Sequence, residues 1–223
     1  MIKYFNGTVF NTPATSMVNT INCDGFMGAG LAFEFALRYP KMLEEYQNKC
    51  KNNLIKVGFI DYYKVNDLTI INFPTKNSYK FPSNIIWIKN GLKNFRDTYK
   101  ENKITSVAFP KLGCSNGGLN WEEVKKVMLE YLSDLDIDIY ICENTLKEAQ
   151  GKELEMLTQI NSIPLNELCK YIKLNQKQQE AIIANRPFDF FWHISKIPNI
   201  GKTTYKKLYT YFYNNNAKQI KLF

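Results

Sequence analysis

The stretch V-N-T-I-N-C-D-G-F-M-G-A-G (18–30) runs from an apolar segment into a glycine-bearing loop and then into residues at helical spacing. About 90 residues later P-K-L-G-C-S-N-G-G-L (110–119) repeats the plan, following an apolar strand at 104–109 and preceding a helix at 121–132. Strand, glycine turn and helix in that order leave backbone amides where phosphate oxygens can bind. Between the loops lies I-N-F-P-T-K (71–76), an apolar strand that delivers Lys76 to the same sheet edge. Either loop alone is equally well explained as a plain tight turn. Taken with the lysine, the two suggest a cradle for a diphosphate and a cation reaching its contents.

Outward from these loops, strands are expected at 2–5, 16–19, 57–65, 68–73, 104–109 and 137–142, and helices at 31–39, 41–49, 84–99 and 121–132. In 84–99 the apolar residues Ile85, Ile88, Leu92, Phe95 and Tyr99 recur at helical spacing. Strands alternating with helices predict an α/β fold, a three-layer α/β/α arrangement with a mixed, mostly parallel sheet. Such sheets bind ligands beyond the carboxyl ends of their strands, where all three quoted segments fall. After Cys142 the alternation stops. Helices are expected at 146–159, 165–172, 176–184 and 188–195, which makes 1–145 one domain and 146–223 a small all-α domain.

Composition narrows the classes. Of 223 residues 45% are apolar, and no apolar run approaches the roughly 18 needed to cross a bilayer. With no basic and apolar leader at the N-terminus, a soluble cytoplasmic protein without membrane contact is expected. Five cysteines, none in a C-x-x-C pair, indicate neither a disulfide framework nor a zinc ribbon. The single histidine, His193, excludes two-histidine mechanisms and reads as a packed side chain among Phe190, Phe191 and Trp192. No cofactor and no metal are expected. The formal charge is +8, and residues 151–223 carry eleven Lys/Arg against five Asp/Glu. Such a basic tail is either a solvated face or a surface for a polyanion such as nucleic acid.

With these residues in view, 1–143 resembles a macrodomain, the fold that binds ADP-ribose, in the branch of the bacterial antitoxin DarG and the animal terminal ADP-ribose glycohydrolase. The wording of three blocks carries the resemblance: V-N-T-I-N-C-D-G-F-M-G-A-G-L-A, I-N-F-P-T-K and F-P-K-L-G-C-S-N-G-G-L-N-W-E-E-V. It implies that Asn22 holds the distal ribose, although an asparagine there can equally satisfy its own turn. It implies that Cys23, Asp24, Gly25, Met27, Gly28, Ala29 and Gly30 form the first substrate loop. Gly113, Cys114, Ser115, Asn116, Gly117, Gly118 and Leu119 then wrap the diphosphate. Lys76 matches the lysine this branch uses for chemistry, attacking an opened distal ribose or stabilising charge as the glycosidic bond breaks; by position alone it would read as a surface charge.

The sequence also departs from the family. The animal enzyme's second-loop aspartate is Gly117 here, which excludes an acid–base pair with that residue. Asp24 is a possible substitute, or simply a turn residue. The acidic residue that reads adenine in many macrodomains is replaced by Thr8, so adenine recognition falls to backbone groups. Cys114 has no histidine to activate it and reads as packed. In the tail, I-P-N-I-G-K (197–202) resembles a helix-hairpin-helix, with Asn199, Gly201, Lys202, Lys206 and Lys207 facing a DNA phosphate; otherwise it is a helical pair that only packs. The tail shows no likeness to the toxin-blocking part of DarG. The resemblance implies a DNA ADP-ribosyl glycohydrolase that removes ADP-ribose from thymine, with ADP-ribosylated DNA and a cognate transferase toxin as partners. The alternatives are a hydrolase of ADP-ribose esters on protein and a non-catalytic ADP-ribose reader.

Overall fold

Six strands, β1 (Ile2–Phe5), β2 (Ser16–Asn22), β3 (Asp61–Val65), β4 (Leu68–Lys76), β5 (Ser106–Phe109) and β6 (Asp138–Cys142), form one sheet in the order β1-β6-β5-β2-β4-β3. Every neighbouring pair is parallel except β3 with β4. This is a computed structural model, and it describes residues 1–219, with side chains to 215.

The strands are apolar on both sides because helices cover both faces. Val18, Ile71, Phe73, Val107 and Phe109 point to one side, against Ile88, Leu92 and Phe95 of α3 (Ile85–Thr98) and Val124, Met128 and Leu132 of α4 (Trp121–Leu132). Met17, Ile21, Ile70 and Ala108 point to the other, against Phe35 and Ala36 of α1 (Gly30–Arg38) and Met42 and Tyr46 of α2 (Pro40–Lys51). Contact between α3 and the sheet is close: a Cβ at Gly91 would lie 2.3 Å from the Phe73 ring. A polar thread crosses this core. Asn19, fully buried, donates to Asn72 Oδ1 (2.9 Å), Asn72 donates to Asp61 (3.1 Å), and Lys49 closes on Asp61 at 2.5 Å.

Two compact units divide the chain, Met1–Thr145 and the residues from Leu146 onward. In the second, α5 (Gly151–Ser162), α6 (Leu165–Tyr171), α7 (Gln176–Ala184), a 3-10 turn (Phe191–Lys196) and α8 (Lys202–Gln219) follow without strands. Its core is aromatic, with Phe191 ringed by Tyr205, Tyr209 and Phe212.

Some expected boundaries are corrected. The strand expected at 57–65 begins at Asp61, because Ile60 gives its amide to the Asn94 side chain (2.8 Å). The helix expected from 146 begins at Gly151, since Gln150 is extended and Asn144 is left-handed (φ 54°). The helix expected at 188–195 is a 3-10 turn from Phe191, because the Asn161 side chain takes both the amide and the carbonyl of Phe188 (2.9 and 3.0 Å). The strand expected at 68–73 runs on through Pro74 to Lys76. Proline is tolerated because β3 stops pairing at Asn72, so no β3 partner is left to miss its amide.

Candidate functional site

β5, β2 and β4 are neighbours and parallel, so their carboxyl ends open on one edge of the sheet. The first glycine loop leaves β2 at Asn22, the second follows β5 after Phe109, and Lys76 ends β4. A shift in register decides how they meet. Ile21 pairs with Pro74, but Asn22 pairs with Lys76, so Thr75 is skipped. Thr75 turns inward and its hydroxyl donates to the Ile21 carbonyl at 3.4 Å. Bulges of this kind re-aim a side chain at a strand end. Here the bulge brings Lys76 level with Asn22, and the Lys76 ammonium donates to the Asn116 carbonyl of the second loop at 2.5 Å.

The first loop is held by side chains. Asn22 Nδ2 donates to the Phe26 carbonyl (2.6 Å), and its Oδ1 accepts from the amides of Asp24 (3.0 Å) and Phe26 (3.3 Å). The buried Tyr46 hydroxyl donates to the Asn22 carbonyl (2.7 Å), and Gln47 donates to the Gly25 carbonyl (3.2 Å). Asp24 accepts from the Ser78 hydroxyl (2.6 Å) and the Tyr79 amide (3.0 Å), tying the loop to the turn after β4.

The second loop is held by its own backbone. Leu119 donates to the Gly113 carbonyl (3.0 Å), Gly118 to Cys114 (3.2 Å), and Ser83 to the Gly117 carbonyl (2.9 Å). A Cβ at Gly117 would lie 2.2 Å from the Gly113 carbonyl oxygen, so no side chain fits there. The loops approach each other at Gly30, where a Cβ would sit 3.1 Å from Asn116 Nδ2.

The two helices that follow the loops differ electrostatically. α1 starts after Ala29 with no side-chain cap and no acidic residue in its first turn. Its leading amides therefore lack intrahelical acceptors and favour an anion. α4 is capped by Asn120, which accepts from Glu123 at 3.2 Å, and opens with Glu122 and Glu123. Of the two, only the start of α1 favours a phosphate.

Residues 18–128 match the family model for the Macro domain. The macrodomain of Mycobacterium tuberculosis DarG is 37% identical, with 97% of it and 64% of this chain covered at a TM-score of 0.62. The chain belongs to the macrodomain family. Thermosipho africanus DarTG in complex with ADP-ribose is 30% identical, with 41% of that chain and 63% of this one covered at a TM-score of 0.61. A DNA ADP-ribosyl glycohydrolase of Mycobacterium tuberculosis is 34% identical over 180 residues, 78% of this chain and 51% of its own length. The chain thus spans about half the length of that curated relative. Since 78% exceeds what the first 145 residues can supply, the likeness runs past the 1–143 to which the motifs confined it.

Within the macrodomain, Met27 lines the core rather than the mouth: it is 6% exposed and lies 3.7 Å from Asn19 Nδ2, so it offers the loop only main chain. The Thr8 hydroxyl donates to Asn11 Oδ1 (2.8 Å), which also accepts the Thr8 amide. Burial pushes the Cys23 thiol up to about 11, helped by Cys50. Burial also raises the Cys114 thiol, against the pull of Lys111. Neither is set up as a nucleophile. Gly25, Gly30, Gly113 and Gly118 have positive φ; Gly28, Ala29, Ser115, Asn116 and Leu119 complete the two loops. Among the described residues no group of three or more His, Cys, Asp or Glu is placed to hold a metal, and no helix is long and apolar enough to cross a membrane.

Sequence reasoning missed Tyr46, Gln47, Ser78, Tyr79 and Ser83, all outside the quoted blocks. Tyr46 alone left a signal: it stands four residues after Met42, on the buried side of α2. In the second unit Asn199 adopts φ 71°, and Gly201, Lys202, Lys206 and Lys207 are exposed.

Proposed function

We propose that the macrodomain is an ADP-ribosyl glycohydrolase acting on DNA, with ADP-ribosylated thymine as substrate, and that it reverses the product of a cognate transferase toxin. The observation that carries this reading is the position of Lys76, level with Asn22 at the root of one glycine loop and bonded to the tip of the other. A ligand gripped by both loops would meet that amine. The diphosphate would lie at the uncapped start of α1 and along the second loop, where main-chain amides supply preorganised donors. Asn22 would act by shaping the first loop. In the reaction the Lys76 amine bonds to the anomeric carbon of the opened distal ribose as the bond to the base breaks, the base leaves with a proton, and water then releases ADP-ribose and the free amine. The name of the mycobacterial relative, a DNA ADP-ribosyl glycohydrolase, supports DNA as the carrier of the adduct.

The second unit would hold DNA. The left-handed Asn199 stands where a hairpin needs such a backbone, and Lys202, Lys206 and Lys207 would neutralise phosphates, each adding about 0.9 to the salt slope of binding.

The test is mass spectrometry of a thymine-ADP-ribosylated oligonucleotide and an ester-linked ADP-ribosylated protein after incubation with the full chain. Loss of the adduct from the oligonucleotide is expected, with turnover about 10²- to 10⁴-fold lower in Lys76→Ala. Turnover of the protein ester alone would replace DNA as the substrate. Tight ADP-ribose binding with no turnover would leave only a reader, and full activity in Lys76→Ala would remove the lysine from the mechanism.

A further inference from the structure

Two loops of the macrodomain hold aromatic rings in solvent, one of them three residues beyond Lys76. Phe26 is 57% and Tyr79 47% exposed, and their ring centroids lie 4.7 Å apart at 46°. Tyr79 and Lys80 are the central residues of a turn closed by the Phe81 amide on the Ser78 carbonyl (3.3 Å). The Lys80 ammonium stands 5.8 Å from the Tyr79 ring centroid. These rings lie outside the core, whose own aromatic residues Phe35, Phe73, Phe95 and Phe109 are fully buried. Yet the two rings are not loose. The main chain of Phe26 is bonded on both sides to the Asn22 amide, and the Tyr79 amide is bonded to Asp24. The same hydrogen bonds tie the pair to Asn22, and the sheet register ties Asn22 to Lys76.

Fixed, exposed π faces with an ammonium beside them suit a flat ring linked to a phosphate. Apart from the adenine that every ADP-ribosylated substrate carries, a peptide backbone supplies no ring linked to a phosphate, whereas a single DNA strand supplies one at every nucleotide. We infer that Phe26 and Tyr79, with Lys80, form a stacking platform for an unpaired base next to the modified nucleotide, an inference that rests on the DNA-glycohydrolase reading. The platform would hold the strand while the modified base sits over Lys76, and Lys80 would meet the intervening phosphate.

The experiment compares the full chain with Phe26→Ala and Tyr79→Ala on two substrates, an ADP-ribosylated oligonucleotide and ADP-ribosyl thymidine. Each variant should raise KM for the oligonucleotide about five-fold or more. It should leave kcat, KM for the nucleoside and affinity for free ADP-ribose unchanged, and Tyr79→Phe should restore the oligonucleotide KM. Equal losses on both substrates would assign the rings to the ADP-ribose pocket, and no loss on either would remove the platform; both results overturn the proposal. Should the wild type cleave neither substrate, the glycohydrolase reading fails separately. Binding of unmodified single-stranded oligonucleotide then decides the platform, measured by fluorescence anisotropy in a Lys202→Ala, Lys206→Ala, Lys207→Ala background. About five-fold weakening by Phe26→Ala and by Tyr79→Ala keeps it, and unchanged binding removes it.

Discussion

The two glycine loops face each other across one mouth yet are built by opposite means. The first owes its shape to side chains placed beneath it: the Asn22 amide, the Tyr46 hydroxyl, Gln47 and the Asp24 carboxylate. The second owes its shape to side chains that are missing, with carbonyls and amides of 113–119 bonded to one another and to Ser83. The first leads into an uncapped helix and the second into a capped, acidic one. Similar glycine content therefore conceals different tolerances: the first loop tolerates what its supports allow, and the second nothing larger than hydrogen at Gly117.

Gly117→Ala is the sharpest way to break that contrast. Its Cβ meets the Gly113 carbonyl at 2.2 Å, so the second loop must move, and displacement of that size costs catalysis about 10²-fold. Calorimetry with ADP-ribose and turnover of the oligonucleotide should both register it, and the urea midpoint should fall as the loop's own bonds are disturbed. An aspartate at 117 should be no better, so the acid of the animal enzyme cannot simply be installed.

Asn22→Ala should act on stability as well. It removes three bonds that close the first loop, a loss of about 2 kcal/mol at net values near 0.5–1.5 kcal/mol each, read as a lower urea midpoint. Asn22→Asp keeps the acceptor but loses the donation to Phe26, and should fall between. Gly30→Ala is milder. At φ 54° a side chain brings strain of about 1 kcal/mol, and Asn116 can shift by a rotamer, so ADP-ribose affinity should drop a few-fold.

The smallest effect is a pH dependence to which groups around the first loop contribute. Burial raises Cys23 to about 11 from an unfolded value near 9, and raises Cys50 and Tyr46 in the same direction. Each group keeps its proton more tightly when folded, so above pH 9 the unfolded chain ionises first. Their contribution is complete below about pH 9 and is lost as pH rises toward 11. Urea midpoints at pH 8 and 10.5 should show the decline, and Cys23→Ser should lessen it.

Much of the site was legible because it is local. Glycines spaced along 25–30 and 113–118 announce turns, and I-N-F-P-T-K announces a strand carrying a lysine to its end. What stayed hidden depends on partners distant along the chain. Nothing near Asn22 says that its amide turns inward to its own loop and to Tyr46, or that Met27 points down onto Asn19. Asp24 reads as half of a turn, yet its carboxylate holds a second loop more than 50 residues away. In the helical unit, periodicity found α5, α6 and α7 but started α5 early and read a 3-10 turn as a helix, because Gly151 follows an extended residue and Asn161 claims the Phe188 backbone.

Alone, then, the chain determined its alternation of strands and helices, the two glycine turns, and a lysine delivered to their edge of the sheet, since each follows from side-chain period and backbone freedom over a few residues. Tertiary structure alone decided that Thr75 is skipped, that Lys76 stands level with Asn22, and that its amine reaches the carbonyl of Asn116. Those outcomes come from inter-strand register and from hydrogen bonds closed over 40 or more residues, where no local preference acts and only the packed sheet selects the partner.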